Sequence, residues 1–266
     1  MKLKLLQIDA FTSAVFKGNP AAVVPLDAWL ADETMQAIAL ENNLSETAFF
    51  VPSENASADF HLRWFTPALE VALCGHATLA SAHALWNHLG HAGDTLRFST
   101  TRSGVLRVTR DDDLIVLDFP AYTLEPADIS TPLVRALGRQ PTELFTAGPK
   151  LLAVFENKRD VIEMEPDFRA VADLGHLSVI VTAPGAKHDF VSRFFAPHAG
   201  IDEDPVTGSA HCALAPYWSQ RLGRKELSAH QVSKRGGVLR CVDHGDRVHV
   251  AGHATTYLEG QITIPD

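Results

Sequence analysis

The sequence predicts an α+β fold of two pseudo-symmetric domains, each with a curved, barrel-like and mostly antiparallel sheet around a central helix. Three observations predict it: an internal repeat, two helices that are apolar on nearly every side, and alternating strands around each helix. The chain has 266 residues, of which 46% are hydrophobic and 21% charged. That size and composition are typical of one large or two medium globular domains.

The internal repeat is the strongest of these observations. Residues 75–107 align without gaps on residues 208–240, and both segments end in the tetrapeptide GVLR. The match continues upstream at a slightly smaller offset. A solenoid repeat has a period of roughly 20–50 residues, so a repeat unit this long indicates two equivalent domains instead.

Two central helices are predicted inside the repeat, over Ala77–Leu89 and Ala210–Leu222. Ala, Leu, Trp and Cys fill most of their positions, and a helix that is hydrophobic all round is a buried one. Each predicted helix is followed by a glycine, Gly90 or Gly223. Glycine at that position is typical of a helix C-terminus, because it adopts the left-handed conformation without strain.

Alternating apolar residues predict the strands that surround these helices. The predicted strands are Thr47–Val51, Phe60–Phe65, Gly104–Thr109 and Leu114–Phe119 in the first copy, and Leu177–Thr182, Phe190–Phe195, Val238–Val242 and Arg247–Ala251 in the second. The N-terminal MKLKLLQIDAF is also typical of a strand rather than of a signal peptide.

Two amphipathic segments are expected to cover the outside of the sheets. The first is Ala28–Glu41, with Asp27 as its N-cap and acids in its first turn, and the second is Pro132–Leu137. Both have polar residues for solvent and apolar residues for a sheet, so we expect helices at these positions.

The proline- and acid-rich segment Pro120–Pro132 is the expected linker between the domains. We therefore predict an N-terminal domain over residues 1–120 and a C-terminal domain over residues 121–266. The last predicted strand, Thr255–Ile264, can belong to either domain, and the sequence leaves that choice open.

Charge and cysteine content exclude several function classes. The formal net charge is −9 and no run of basic residues exceeds two, which argues against binding to nucleic acid or to an anionic membrane. No apolar run approaches the roughly 18–20 residues of a membrane span. The three cysteines, Cys74, Cys212 and Cys241, are widely spaced, so no disulfide framework is expected. These features predict a soluble, cytoplasmic protein.

Cofactor motifs are not found in the sequence. No GxGxxG or GxxxxGK[ST] segment is present, so a nucleotide cofactor has no support. The thirteen histidines form no HExxH motif and no zinc-type pairing with a cysteine. We therefore expect neither a cofactor nor a metal.

The starts of the two central helices predict a site for an anion. Gly75 opens the first helix, and Gly208 and Ser209 open the second. The first turn of a helix offers unpaired N–H groups and about half a positive charge, and glycine lets a ligand approach closely. If a pseudo-twofold axis relates the domains, both helix starts can face one interdomain cleft that binds a small anionic substrate. The alternative is that these residues are ordinary helix caps.

A reacting group is predicted where the repeat is broken. Glu46 starts an apolar strand, and the residue at the repeat's offset in the second copy is His176. A partly desolvated carboxylate suits proton transfer near neutral pH, although a lone glutamate is more often a surface residue. Asp204 is the second acid candidate, because it lies among residues that the first copy lacks; the alternative is an Asx turn before Pro205.

Three segments together resemble one known family. They are LSETAFF at residues 44–50, LCGHATLASAHAL at residues 73–85 and DEDPVTGSAH at residues 202–211. The chain resembles the PhzF-like family, the phenazine-biosynthesis isomerases and their relatives, which have the diaminopimelate-epimerase-like fold. The resemblance runs over essentially the whole chain and implies a homodimeric enzyme of a biosynthetic process that uses no cofactor.

The resemblance also implies roles for individual residues. It makes Glu46 the general acid/base and adds His76, Asp204 and Ser209 to the active site. Gly75 and Gly208 fall where backbone donors hold the substrate.

Three hypotheses follow for the function. The first is an isomerase in which Glu46 moves a proton between two carbons of a small carboxylate-bearing substrate. The second is a racemase or epimerase that uses Cys74 with Glu46 or Asp204; the related epimerases use one cysteine at each helix start, but this chain has none at the second. The third is a small-molecule binding protein without chemistry.

Overall fold

The computed structural model describes residues 1–54, 56–175 and 177–265. The chain forms two compact units: unit 1 comprises Met1–Asp118 with Ala251–Asp266, and unit 2 comprises Phe119–Val250. The predicted boundary after residue 120 lies two residues from this division. The C-terminal segment belongs to unit 1, because its strand pairs with the N-terminal strand from Lys2 to Ala10.

The described residues form eighteen strands and six α-helices, each numbered in chain order. The strands are β1 (Lys2–Ala10), β2 (Asn19–Pro25), β3 (Glu46–Pro52), β4 (Phe60–Phe65), β5 (Glu70–Val71), β6 (Thr95–Thr100), β7 (Val105–Asp111), β8 (Leu114–Pro120), β9 (Glu125–Pro126), β10 (Glu143–Ala147), β11 (Lys150–Val154), β12 (Ser178–Pro184), β13 (Phe190–Ala196), β14 (Ile201–Glu203), β15 (Glu226–Gln231), β16 (Gly237–Asp243), β17 (Arg247–Gly252) and β18 (Ala254–Thr263). The helices are α1 (Asp32–Asn42), α2 (Gly75–His88), α3 (Thr131–Leu137), α4 (Lys158–Ile162), α5 (Phe168–Ala172) and α6 (His211–Leu222).

The two units repeat one pattern of strand pairing. In unit 1, β2–β3 and β4–β6 are parallel, while β1–β2, β3–β4 and β6–β7 are antiparallel. In unit 2, β11–β12 and β13–β15 are parallel, while β10–β11, β12–β13 and β15–β16 are antiparallel. The duplication read from the sequence is therefore present in the fold, with parallel pairs that the sequence did not predict.

Strand register corrects the predicted counterpart of Glu46. Counting along the antiparallel pairs from the equivalent residues Phe65 and Phe195, Glu46 corresponds to Ser178. His176, the counterpart predicted from the offset, lies outside the described residues. Glu46 still has no acidic counterpart in unit 2, because the equivalent position is a serine.

Strand register also shows where the extra residues of the second copy lie. Glu70 and Glu203 occupy the same position opposite the equivalent phenylalanines. Asp204 therefore corresponds to Val71, and the prediction that Asp204 lies among the extra residues is wrong. Those residues come earlier, where the 3₁₀ turn Pro197–Ala199 precedes β14.

The gap-free alignment is wrong over one strand of each copy. Phe98 of β6 lies beside Phe60 of β4, and Ala229 of β15 lies beside Phe190 of β13. Phe98 and Ala229 are thus equivalent, although the gap-free alignment pairs Phe98 with Gln231. Pairing with β4 or β13 fixes the position of each strand, and the connections before and after it absorb the difference in length.

Each unit carries the same arginine–glutamate fork. Arg63 donates through Nε and Nη2 to the two carboxylate oxygens of Glu70, both at 2.8 Å. Arg193 donates in the same way to Glu203, at 2.7 and 2.9 Å. Arg193 Nη1 also donates to the carbonyls of Val161 and Met164. The repeated fork ties β4 to β5 and β13 to β14, so it fixes the strand that leads into each central helix.

The central helices α2 and α6 are largely buried, as their apolar sequences predict. The outer helix α1 begins later than predicted, at Asp32, and its N-cap is Ala31 rather than Asp27. In the segment before the helix, the Trp29 ring lies 5.3 Å from the guanidinium carbon of Arg63. No helix in the described part of the chain is long and apolar enough to cross a membrane.

Candidate active site

Glu46 is the first residue of β3 and lies beside Ala21 of the parallel strand β2. The rest of β3 is almost entirely buried, because its aromatic and aliphatic residues favour a strand inside the core. Only 12% of the Glu46 side chain is exposed. Its Oε2 atom is buried and lies 3.1 Å from His76 Nε2, so the carboxylate is held in a desolvated position.

The start of α2 lies next to this carboxylate. Cys74 precedes the helix in an extended conformation and makes no side-chain cap, while its carbonyl accepts from Thr78 Oγ1 at 2.6 Å. Gly75 is the first helical residue and is buried. A helix start without a side-chain cap keeps backbone N–H groups for a ligand.

His76 connects the carboxylate with two other side chains. His76 Nε2 lies 3.1 Å from Glu46 Oε2, and His76 Nδ1 lies 3.1 Å from Asn19 Nδ2. Cys74 Sγ lies 3.4 Å from the same Nδ1. Asn19 depends on Gly18, which has φ +64° and whose added Cβ would lie 2.1 Å from the Ala10 carbonyl oxygen. The glycine therefore permits the turn that brings Asn19 to the imidazole.

Electrostatics in this group favour a charged histidine and a protonated thiol. Burial and the Glu46 charge raise the pKa of Cys74 to about 11. Burial lowers the pKa of His76, but its contacts with Cys74 and Glu46 outweigh burial and raise that pKa well above its usual value. At neutral pH the thiol keeps its proton, so Glu46 supplies the charge that holds the proton on His76.

Unit 2 has a polar group at the equivalent helix start. Thr207, the counterpart of Cys74, donates from Oγ1 to Asp204 Oδ2 in a short hydrogen bond. Gln231 is fully buried on β15; its Oε1 accepts from Thr207 N and its Nε2 donates to the Asp204 carbonyl, both at 2.8 Å. Sequence reasoning missed Gln231, because one polar residue in a strand gives no signal of its partners.

Gly208 and Ser209 form a 3₁₀ turn with Ala210 just before α6, instead of the first α-helical turn. Gly208 is buried and Ser209 is partly exposed. By the repeat they correspond to Gly75 and His76. The structure thus places Glu46, Gly75 and His76 together in unit 1, and Asp204, Gly208 and Ser209 together in unit 2.

His211 adds a pH-sensitive group to the helix start of unit 2. Its Nδ1 donates to the Thr207 carbonyl at 2.9 Å, and its buried Nε2 has no hydrogen-bond partner. Burial lowers the pKa of His211 to about 4. A second proton on Nε2 would have no acceptor, so the folded protein keeps this imidazole neutral.

We expect the free energy of unfolding to fall as the pH drops from about 6.5 towards 4. In this range His211 binds a proton in the unfolded state but stays neutral in the folded state. A difference between 6.5 and about 4 corresponds to at most about 3.4 kcal/mol. Urea unfolding at several pH values should show a shallower decline for His211→Gln. The control His253→Gln, at an exposed position, should keep the wild-type decline, and an unchanged slope in His211→Gln would contradict the assignment.

Comparison with known proteins identifies the family. The family model described as phenazine biosynthesis-like protein, PhzC-PhzF, matches residues 8–260. The chain belongs to the PhzC-PhzF family. Within it, an uncharacterised isomerase of Pseudomonas aeruginosa is 53% identical over 264 residues, covering 99% of this chain and 100% of the relative. The human phenazine biosynthesis-like domain-containing protein is 42% identical over 288 residues, with 99% and 100% covered.

Solved structures agree with this membership. The crystal structure of a PhzF family protein from Enterococcus faecalis has a TM-score of 0.94 at 45% identity, covering 99% of this chain and 100% of that one. A hydroxyproline epimerase from Agrobacterium vitis, solved with bound trans-4-hydroxy-L-proline, shares the fold at 12% identity and a TM-score of 0.64, covering 100% of this chain and 93% of that one. The predicted family, α+β fold class and PhzF-like isomerase class are confirmed.

Proposed function

We propose that this PhzC-PhzF family protein is an isomerase in which Glu46 takes a proton from one carbon of a small carboxylate-bearing substrate and returns it to another. The observation that carries the proposal is the buried Glu46 carboxylate, 3.1 Å from His76 at the start of α2. A general base needs a free acceptor oxygen within reach of the substrate and a position shielded from water. Glu46 meets the second requirement within its own unit, because only 12% of its side chain is exposed.

The surroundings of Glu46 suit the charge that such a reaction develops. Removal of a proton from carbon leaves negative charge on the substrate, and preorganised donors lower the energy of that state. His76, held protonated beside Glu46, and the N–H groups of the first turn of α2 are such donors. The same positive groups would favour a substrate carboxylate in the ground state.

Residues of unit 2 enter the proposal as binding groups. Asp204 is held by Thr207 and Gln231, and this rigid attachment suits a residue that positions a ligand. Gly208 and Ser209 stand at the second helix start, where we propose that they bind the substrate. That both helix starts serve one substrate stays a prediction, as do a homodimer, a cytoplasmic location and a biosynthetic role.

Product analysis tests the reaction class. We would incubate the purified protein, without added cofactor, with a panel of cyclic and amino-acid-like carboxylates and analyse each mixture by mass spectrometry and NMR. An isomerase gives a product of unchanged mass with a moved hydrogen. A product that has gained water, or one that appears only with an added oxidant, would contradict the proposal. A ligand that binds without being converted would favour the binding-protein hypothesis.

A cysteine-assisted racemase is the second candidate, because Cys74 lies beside His76 in the same group. The raised pKa of the Cys74 thiol, about 11, disfavours it, because a base for carbon acids should be deprotonated near the working pH.

We expect Cys74→Ala to keep most of the wild-type kcat, because the proton is carried by Glu46. If Cys74 is the base, the same change should lower kcat by about 10²–10⁴-fold. Steady-state kinetics of Cys74→Ala beside Cys212→Ala, a buried cysteine of the other unit, separate the two candidates. Loss of kcat in Cys74→Ala alone would favour the racemase.

A further inference from the structure

The group at the start of α2 contains three different metal-binding atoms. One ligand atom each of Glu46, Cys74 and His76 lies within 4.8 Å of the other two. Oxygen, sulfur and nitrogen donors of this kind are the ligands that Zn²⁺ takes in proteins, and a site with three protein ligands leaves the fourth position open. Sequence spacing does not reveal the group, because Glu46 is far from Cys74 in the chain.

The distances are close to those of a tetrahedral zinc site. Ideal zinc–ligand bonds of about 2.0 to 2.3 Å place two ligand atoms about 3.3 to 3.6 Å apart. His76 Nε2 lies 3.1 Å from Glu46 Oε2 and 4.0 Å from Cys74 Sγ. Cys74 Sγ lies 3.4 Å from His76 Nδ1, so binding through Nε2 requires the Cys74 side chain to turn towards the Nε2 side of the ring.

We propose that Glu46, Cys74 and His76 together bind one Zn²⁺ ion, and that the bound ion stops Glu46 from accepting a proton. The second half of this proposal rests on the proposed function, whereas the first half does not. Zinc would occupy the lone pair of Glu46 that proton transfer needs. The site is thus a means of reversible inhibition by a thiophilic divalent cation.

Charge and hydrogen bonding support binding at this place. When zinc binds, the Cys74 thiol and the protonated His76 each release one proton to solvent, and the thiolate and the Glu46 carboxylate then balance the two positive charges of the ion. The partial positive charge at the start of α2 opposes a cation, but two full negative charges in direct contact outweigh it. Asn19 lies with its amide nitrogen 3.1 Å from His76 Nδ1; with Nε2 bound to the metal, Nδ1 carries a proton, and rotation of the Asn19 amide would turn its oxygen to accept that proton.

A pair of histidines elsewhere in the chain serves as a control for zinc binding. His244 and His249 lie with Nε2 and Nδ1 3.2 Å apart on the hairpin of β16 and β17. In the part of the chain that the structure describes, only Glu46, Cys74 and His76 form a group of three such ligands. Removal of the His244 imidazole therefore tests whether a surface histidine pair explains any zinc binding.

The test uses Zn²⁺ and Co²⁺ with the purified full chain. Isothermal titration with Zn²⁺ should give one ion per chain, and Co²⁺ should give the absorption band of sulfur-to-cobalt charge transfer. Cys74→Ala should remove that band and weaken zinc binding by more than about 100-fold, beyond the loss that outer-shell changes cause. Cys212→Ala and His244→Gln should change neither measurement.

Two further outcomes make the proposal falsifiable if Cys74→Ala folds poorly. Glu46→Gln should weaken zinc binding by at least about tenfold but keep the sulfur-to-cobalt band, because Cys74 remains. Absence of zinc binding to the wild type, or a band that persists in folded Cys74→Ala, would overturn the site. Zinc that binds with the expected stoichiometry but leaves turnover unchanged would overturn the inhibition, whereas failure of turnover without zinc would count against the proposed function alone.

Discussion

Glu46→Gln should lower kcat by about 10²–10⁴-fold while the protein stays folded, because a positioned general base contributes that much to proton transfer. The amide has nearly the same shape as the carboxylate but cannot accept the proton. Oε2 of Glu46 lies 3.1 Å from His76 Nε2, so the substitution replaces an ion pair with a neutral contact of the same shape. Steady-state kinetics and a thermal unfolding curve measure the two effects separately.

The control for this change is Glu41→Gln, at an exposed position of α1. It alters the net charge by the same amount and should leave kcat unchanged. Wild-type kcat in Glu46→Gln would remove Glu46 from the mechanism. Equal losses in both variants would show that net charge, rather than the position of the acid, controls the rate.

Arg193→Met should lower the free energy of unfolding by about 3–5 kcal/mol, the usual cost of removing one partner of a buried ion pair. Only 11% of the Arg193 side chain is exposed. Its loss leaves the Glu203 carboxylate and the carbonyls of Val161 and Met164 without these donors. Methionine fills a similar volume, so the effect reports the lost hydrogen bonds and charge. Urea unfolding provides the measurement.

An exposed ion pair provides the comparison. Arg240 and Glu226 are 3.0 Å apart, with half or more of each side chain exposed. Arg240→Met should cost less than about 1 kcal/mol, because exposed pairs contribute little. Glu203→Gln should lower the free energy of unfolding less in the Arg193→Met background than in the wild type. Similar losses in Arg193→Met and Arg240→Met would show that the fork of unit 2 does not stabilise the fold.

Much of the fold could be predicted because burial leaves a pattern in the sequence. Helix α2 is apolar on nearly every side and is buried, and β3 and β13 are rich in aromatic and aliphatic residues and are largely buried. The parallel pairs could not be predicted, because apolar patterns fix which face of a strand is buried but not its neighbour. The start of α1 was also predicted too early, because Asp27 resembles a helix cap in sequence, whereas the helix begins at Asp32 after Ala31.

The candidate site was predictable only in part. Glu46 and His76 could be proposed from the broken repeat and the family resemblance, and the structure places them 3.1 Å apart. Asn19 and Gln231 could not, because their roles depend on hydrogen bonds to residues distant in the chain. The equivalence of Asp204 with Val71 required strand register, which a repeat that contains insertions does not give.

Cleavage of the substrate's C–H bond tests the central claim most directly. A converted carboxylate, deuterated at the carbon that loses its hydrogen, would be followed through one turnover by NMR and mass spectrometry. The wild type should move the deuterium to the acceptor carbon or to solvent, and Glu46→Gln should leave it in place. Cleavage of that bond by Glu46→Gln at the wild-type rate would contradict the assignment of Glu46 as the base.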